Sequence, residues 1–588
     1  MCGIAGILRA DGGPVARDDI AAMIAALAHR GPDGCGVRLD GPVAFGHCRL
    51  AVIDPSPAAD QPMVGAGDAV WLVFNGEIYD FQTLRRELER VGRSFRTRCD
   101  TEVILEAYLA WGDDFIDRID GMFAIAIWDG RDRKLRLYRD RPGIKPLYWT
   151  FDGKVFAFAS ELSAIERLDD TFDLQVDHTA AWDFLTYRYV PAPKSLYRNV
   201  HKLPAATRLV LDLDAGRVEV NEPYWRLRVR SDATTVDDAA CEFRRLAGRA
   251  VQEQLVADVP VGFFLSGGLD SSTLVALAAG RDERLSTFSI GFDDPAHTET
   301  RFARLVAERF RTDHHEAVLD ASDTADLFGR LRAWYGEPFG DTSAFPTFLV
   351  SQWARRSVTV ALAGDGCDEL FGGYRWYRLF ERLRPLARGW GRPVAARLDR
   401  SKQRLGRTNP LRRACNLLAL VGADDLELYA KLMGGMGRAE KWRYRAVLDI
   451  DPDYDDYWHF RRWWRDDLPL RTRLQYLDFH TFLPDGVLTK VDRASMRHAL
   501  EVRVPFLSRP LVEFAFALPE TVRYHGGRLK GLMKHAVGDL LPAAVIDRPK
   551  QGFSAPSRHE TDPRRRFQET VLATHFGIAP RENRTRAA

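Results

Sequence analysis

The chain has 588 residues, of which 46% are hydrophobic, 11% aromatic and 28% charged. Its 84 basic and 82 acidic side chains leave a formal charge of +2, too small a general field to hold nucleic acid or an anionic membrane. Disordered, collagen-like and disulfide-scaffold classes are excluded by this composition, and the length allows up to four folding units. No apolar run approaches the roughly 18 residues of a membrane span, and the apolar start at Met1 lacks the basic leader of a secretory signal. Seven cysteines without a C-x-x-C pair fit a reducing compartment. A cytoplasmic protein is expected.

In chain order, residues 4–8 read as a strand, and residues 70–74 as another, closed by a turn at Asn75-Gly76. Residues 81–90 carry Leu84 and Leu88 four apart, as a helix requires. Residues 122–128, 134–138, 147–150 and 155–158 continue a series of strands separated by Gly, Pro and Asp turns. Strand runs with few helices imply a layered α+β domain, and the polar stretch 221–237 leads out of it. Beyond residue 238, apolar strands at 262–265, 285–290 and 358–362 alternate with helical patterns. That is the rhythm of a parallel sheet covered by helices. Residues 375–473 read as helical and rich in Arg and Trp. Within them, 382–413 hold eleven basic side chains against Asp399 alone; a solvated helical face is the reading, nucleic-acid contact the alternative. The charged tail after Arg558 is expected to fray.

Chemistry concentrates in four places. Loss of Met1 would leave Cys2 with a thiol and a free α-amine of reference pKa about 7.7–8.0, a nucleophile carrying its own base. After it come His29-Arg30-Gly31-Pro32-Asp33, His47-Cys48-Arg49-Leu50, Phe74-Asn75-Gly76-Glu77-Ile78-Tyr79 and Asp100-Thr101-Glu102. The Met1-Cys2-Gly3-Ile4 start and the Phe74–Tyr79 segment resemble the class II glutamine amidotransferases, which share an N-terminal-nucleophile fold of stacked antiparallel sheets between helices. The resemblance implies that Cys2 attacks the glutamine side-chain amide, with Asn75 and the Gly76 N–H as oxyanion hole. It further implies that Arg49, Glu77 and Asp100 bind the glutamine, Arg49 at its α-carboxylate and Asp100 at its α-ammonium.

The second place is Leu265-Ser266-Gly267-Gly268-Leu269-Asp270-Ser271-Ser272, between a strand (261–265) and a helix (273–279). Two glycines, three hydroxyls and a helix N-terminus suit a phosphate, although the Walker A pattern is absent. This loop resembles that of the N-type ATP pyrophosphatases, which leave AMP on a carboxylate. Third is Ala363-Gly364-Asp365-Gly366-Cys367-Asp368-Glu369. Its crowded acids call for a counter-charge, and a phosphate-bound Mg²⁺ fits, with Asp270 and Asp368 as its ligands. Asp365 then stands near the acceptor. Fourth is a basic C-terminal block: Lys490, Arg493, Glu501-Val502-Arg503, Lys530, Lys534 and Arg548-Pro549-Lys550, suited to neutralising triphosphate charge.

Together these motifs, over roughly residues 2–555, are similar to the glutamine-hydrolysing asparagine synthetases. The resemblance implies an amidotransferase domain (2–215), a linker (216–237), an α/β parallel-sheet ATP-pyrophosphatase-like domain with a helical C-terminal region (238–555), and a tail (556–588). Leu265, Ser266, Gly267, Gly268, Asp270, Ser271, Ser272, Ile290, Ala363 and Gly364 would border ATP, Asp365 would assist acceptor chemistry and Lys550 the transition state. Glutamine, ATP and aspartate are the expected partners, with no nucleic acid and no membrane, in a chain that could pair as a homodimer. One departure stands out. After Val504-Pro505-Phe506-Leu507 the family commonly has aspartate, and this chain has Ser508; either acceptor binding or a structural hydrogen bond could be affected. Acceptors other than aspartate remain the alternative.

Overall fold

The computed structural model describes residues 1–221, 223–280, 284–292, 299–319, 334–387, 420, 423–548, 571–573 and 575–577. Twelve strands precede residue 221. β1 (Gly3–Arg9), β2 (Gly34–Asp40), β3 (Val43–Arg49), β8 (Tyr148–Phe151), β9 (Val155–Ala159) and β10 (Val200–Lys202) form one antiparallel sheet, ordered β10-β8-β9-β1-β3-β2. β4 (Met63–Gly65), β5 (Val70–Ile78), β6 (Gly121–Asp129), β7 (Lys134–Arg139), β11 (Arg208–Asp212) and β12 (Arg217–Val220) form a second, ordered β12-β11-β7-β6-β5-β4.

Strand alternation explains how these sheets stack. Ile4 and Leu8 of β1 join Phe45, Trp71, Val73, Ala124 and Leu135 in a core between the sheets. Ala5 and Ile7 turn the other way, onto Ile20, Met23 and Ile24 of helix Arg17–Leu27. On the far side, Leu72, Phe74 and Ile125 meet Leu84, Leu88, Val103 and Ile104 of helices Phe81–Arg90 and Asp100–Trp111. The result is the expected helix–sheet–sheet–helix stack.

Two local expectations change. Asn75-Gly76 is no turn, because β5 runs through it, with Asn75 opposite Ala124 and Gly76 opposite Phe123 on β6. A long partner strand overrides the local turn preference of the dipeptide. Gly76 is required there because a Cβ would lie 2.0 Å from the Met122 carbonyl oxygen. The helix after Gly268 begins at Leu269 rather than residue 273 and runs to Ala278, so Asp270, Ser271 and Ser272 sit in its first turn.

The third sheet is parallel throughout: β15-β14-β13-β16-β17, from β13 (Val261–Phe264), β14 (Ser286–Phe292), β15 (Asp313–Leu319), β16 (Val360–Leu362) and β17 (Glu501–Arg503). Strand order proceeds outward from β13 in one direction and then in the other, which makes the carboxyl ends of β13 and β16 a topological switch point, where such sheets form a crevice. A helical region follows. Its Tyr377, Tyr429, Tyr457, Phe460 and Leu477 form a core with Trp182, Phe184 and Leu185 from helix His178–Tyr187. The aromatic residues of the Arg/Trp-rich segment are therefore largely core; positions 388–413, which hold most of its basic run, lie outside the described residues. Among the described residues no helix is long and apolar enough to cross a membrane.

Candidate active sites

The first site lies where the two antiparallel sheets meet the parallel one. A small cavity of about 30 Å³ is lined by Met1, Cys2, Arg49, Gly76, Glu77 and Asp100, joined by Gln61 and Glu501. The Cys2 backbone N–H donates to Asn75 Oδ1 at 3.0 Å. Asn75 is wholly buried, and its Nδ2 has no hydrogen-bond partner. An oriented amide donor left unsatisfied at a nucleophile is what an oxyanion hole requires. Met1 occupies this site: its ammonium pairs with Glu501 at 2.6 Å and its sulfur meets the Lys145 ammonium. A cavity of that size has room for only one or two waters, so a substrate amide needs the space that Met1 fills.

Charge in the pocket is balanced across the two halves of the chain. Arg503, on β17, pairs with Glu77 at 3.1 Å and with Glu501 at 2.7 Å. Burial pushes the Glu77 carboxyl well up, helped by Asp100, and pushes Asp100 up to about 6. Burial also raises the Cys2 thiol, so the nucleophile needs a base. Arg49 is held by the Ser56 and Asp54 carbonyls and by Asp60 at 2.7 Å. Arg30 Nε donates to the Cys2 carbonyl at 3.0 Å, and its Nη1 reaches Glu161 at 2.7 Å and Asp492 at 2.9 Å. Asp492 is followed by Arg493, which pairs with the same Glu161 at 2.7 Å.

The second site is a cleft of about 440 Å³ at the switch point of the parallel sheet. Leu265, Ser266, Asp270, Ser271, Ile290, Ala363, Gly364, Asp365 and Asp368 all line it. Gly267, Gly268 and Ser272 do not. Gly267 turns at φ +68° with Ala303 so close that a Cβ would lie 2.4 Å from its nitrogen, while Ser272 is buried behind the loop, its hydroxyl unpartnered. Gly364 lets β16 approach the loop, since a Cβ there would sit 2.8 Å from Asp270 Cβ. The first-turn N–H groups of the Leu269–Ala278 helix start at this opening, a favourable place for phosphate oxygens.

Asp270 and Asp368 converge as expected, and the Lys530 ammonium lies between them, 2.5 Å from each. Two hard carboxylates beside a phosphate cradle are a donor set that Mg²⁺ accepts, because that ion takes one or two carboxylates and fills its shell with phosphate oxygens and water. It would have to share them with, or displace, the Lys530 ammonium. Among the described residues no group of three or more His, Cys, Asp or Glu side chains could hold a metal by itself, so phosphate oxygens or water would have to complete the shell. At the other end of the cleft Lys490 lies 3.8 Å from Asp365. Glu369, which sequence reasoning left without a role, also lines the cleft; burial raises its carboxyl to about 7, and Tyr374 donates to it at 2.6 Å.

The basic C-terminal block divides. Lys490 and Lys530 are at the cleft, whereas Arg493 is already paired with Glu161 and Arg503 with Glu77 and Glu501. Their expected contact with a triphosphate is therefore corrected. Lys550 lies outside the described residues. Ser508 is buried, does not line the cleft, and precedes helix Arg509–Ala517 as its cap residue. The neighbouring Arg509 N–H donates to Asp120 Oδ2 at 3.3 Å, and burial raises that carboxyl to about 6. The Ser508 side chain makes no capping hydrogen bond, so capping does not account for the serine; a carboxylate at 508 would add charge next to the Arg509 N–H that Asp120 already binds.

A buried cysteine pocket in stacked antiparallel sheets and a phosphate-type loop at the switch point of a parallel sheet define a two-centre amidotransferase ligase. Residues 1–225 match the glutamine amidotransferase domain model and residues 242–584 the asparagine synthase model. The chain belongs to the asparagine synthase family. Asparagine synthetase (glutamine-hydrolyzing) 1 of Bacillus subtilis is 30% identical over 572 residues, spanning 95% of this chain and 88% of that one. Asparagine synthetase (glutamine-hydrolyzing) 3 of the same organism is 30% identical over 561 residues, spanning 92% and 84%.

Proposed function

We propose that this protein is a glutamine-dependent asparagine synthetase that forms a β-aspartyl adenylate. The observation that carries this reading is the convergence of Cys2, Arg49, Gly76, Glu77 and Asp100 on one pocket, with the free Asn75 amide beside it. With Met1 removed, the Cys2 α-amine takes the thiol proton and the sulfur attacks the glutamine amide carbon. Asn75 Nδ2 and the Gly76 N–H hold the oxyanion, ammonia leaves, and water frees glutamate. In the cleft the aspartate β-carboxylate attacks the α-phosphorus of ATP and pyrophosphate departs. Ammonia then displaces AMP. Ser266, Ser271 and the helix N-terminus hold phosphate oxygens, and Lys530 neutralises charge on the departing pyrophosphate. Mg²⁺, when bound at Asp270 and Asp368, supplies further neutralisation. Lys550 is proposed to support the same transition state.

Ammonia has to cross unprotonated, and the packing supports an apolar route. Leu50 and Val52 line the first pocket, Val487 and Val491 line the cleft, and both pairs belong to one buried cluster with Met122, Ile144 and Val502.

Asp100 gives the reading a pH signature. Its carboxyl, raised to about 6 by burial, is neutral below that pH and cannot pair with an α-ammonium. With the Cys2 α-amine already protonating below its reference pKa of about 7.7–8.0, we expect kcat/KM for glutamine to fall about tenfold per pH unit below that value and about a hundredfold per unit below pH 6. The ammonia-driven reaction, plotted against free NH₃, lacks that limb. A panel of carboxylic acids assayed together for glutamate and pyrophosphate tests the acceptor: release with aspartate supports the reading, and release with a different acid alone rejects it.

A further inference from the structure

Cys35 and Cys48 face each other across β2 and β3 as direct register partners, with their sulfurs 3.8 Å apart. β2 is an edge strand of its sheet. Cys35 is exposed to solvent and Cys48 is wholly buried, its thiol against the Ile24 carbonyl at 3.3 Å. Neither belongs to the chemistry proposed above. Their surroundings do: Cys48 precedes Arg49, and on its other side it pairs with Gly3, the residue after Cys2.

We propose that Cys35 and Cys48 form a reversible disulfide under hydroperoxide and that this bond switches off use of glutamine. A hydroperoxide oxidises the exposed Cys35 sulfur to a sulfenic acid, with water or an alcohol leaving. The Cys48 sulfur then attacks the Cys35 sulfur, and the displaced hydroxide takes up the Cys48 proton as water. Two thiols and one hydroperoxide thus give one disulfide, one water, and a second water or an alcohol. Burial raises the Cys48 thiol, so it resists direct oxidation and acts as the resolving partner.

Bonding requires the sulfurs to come from 3.8 Å to about 2.05 Å, with the Cβ atoms near 3.8 Å, closer than facing strand residues usually sit. The strands have to draw together, and the packing around them leaves little room. A Cβ on Gly31 would lie 2.4 Å from the Cys48 carbonyl oxygen, and one on Gly36, beside Cys35, would lie 1.9 Å from the Gln61 carbonyl oxygen. Gln61 lines the cysteine pocket and its side chain accepts from the Phe74 N–H at 2.6 Å. Closure therefore displaces Arg49 and Gln61 together. Displacements approaching 1 Å in a positioned site cost on the order of a hundredfold in rate, and the cleft lies on a different sheet.

The activity arm of the test rests on the proposed glutaminase; the chemical arm does not. Full-length protein would be treated with hydrogen peroxide and mapped without reduction, alongside Cys2→Ala, in which the nucleophile cannot react. The expected result is a Cys35–Cys48 peptide link, 2 Da lighter than the thiols, in both proteins. Glutamine-dependent amidation should fall at least tenfold, ammonia-dependent amidation should persist, and dithiothreitol should restore the loss. Cys35→Ser, an exposed change, should keep its activity through the same dose. No such link in either protein, or equal inactivation of Cys35→Ser and the parent, would overturn the proposal. Untreated protein without glutaminase activity would reject the functional reading instead, leaving the link to be judged by the map.

Discussion

Cys2→Ala is expected to abolish glutamine-dependent amidation, by at least 10³-fold, while amidation driven by ammonia continues near the parent rate. In the proposed reaction the Cys2 sulfur takes the glutamyl carbon, and an alanine side chain has no group to do so. The surroundings of residue 2 should survive the change. The Asn75 contact is made by the backbone N–H and the Arg30 contact by the backbone carbonyl, and alanine keeps both. The cleft is built from other strands and keeps its own acids, loop and lysines. Glutamate formation, and pyrophosphate release with ammonium chloride as nitrogen source, measured on one preparation, check the split. Loss of both activities together would mean that the centres are not chemically separate.

Lys530→Ala is expected to give the reverse pattern. Pyrophosphate release should fall by 10²- to 10³-fold with either nitrogen donor, and basal glutamine hydrolysis should remain. Removing a preorganised donor from a site of developing charge has an effect of that order. The loss should be deeper than charge counting alone suggests, because Lys530 also holds Asp270 and Asp368 together. Without it, two carboxylates face each other across a partly buried site and one is driven toward protonation. Arginine should not rescue the site. The Lys530 stem passes so close to Gly373 that a Cβ there would lie 2.3 Å from its Cε, and a guanidinium needs more room. Pyrophosphate measured with saturating ammonia and aspartate, where glutamine chemistry plays no part, checks this.

Much of the architecture is legible in the residues. Residues 81–90 show the helix through Leu84 and Leu88, and five of the six β-rich runs read in the first 160 residues locate strands to within a residue. The run at 70–74 stops four residues short of the end of β5, and β2, β3 and β4 are not read at all. The glutamine pocket is legible for the same reason that its motifs are local. What escapes is long-range. Asn75-Gly76 looks like a turn until β6 is seen to pair through it. Arg503 looks like a phosphate ligand until β17 is placed beside Glu77, more than 400 positions earlier in the chain. The Trp-rich helices find their core only once the helix His178–Tyr187 is placed beside them. The cross-strand cysteines become a pair only once the register of β2 and β3 is known. Composition carries none of these pairings, because each joins segments whose neighbours are set by topology.

The central claim is that one chain hydrolyses glutamine at Cys2 and spends the ammonia on an adenylated aspartate elsewhere. The most direct measurement supplies Mg-ATP, aspartate and glutamine labelled with ¹⁵N in its amide, in unlabelled ammonium buffer. AMP, pyrophosphate and the asparagine amide isotope are then read in the same reaction. The account predicts equal amounts of AMP, pyrophosphate and asparagine, with the amide carrying the ¹⁵N of glutamine largely undiluted. ADP and phosphate in place of AMP and pyrophosphate, or an amide drawn from the buffer, would contradict it.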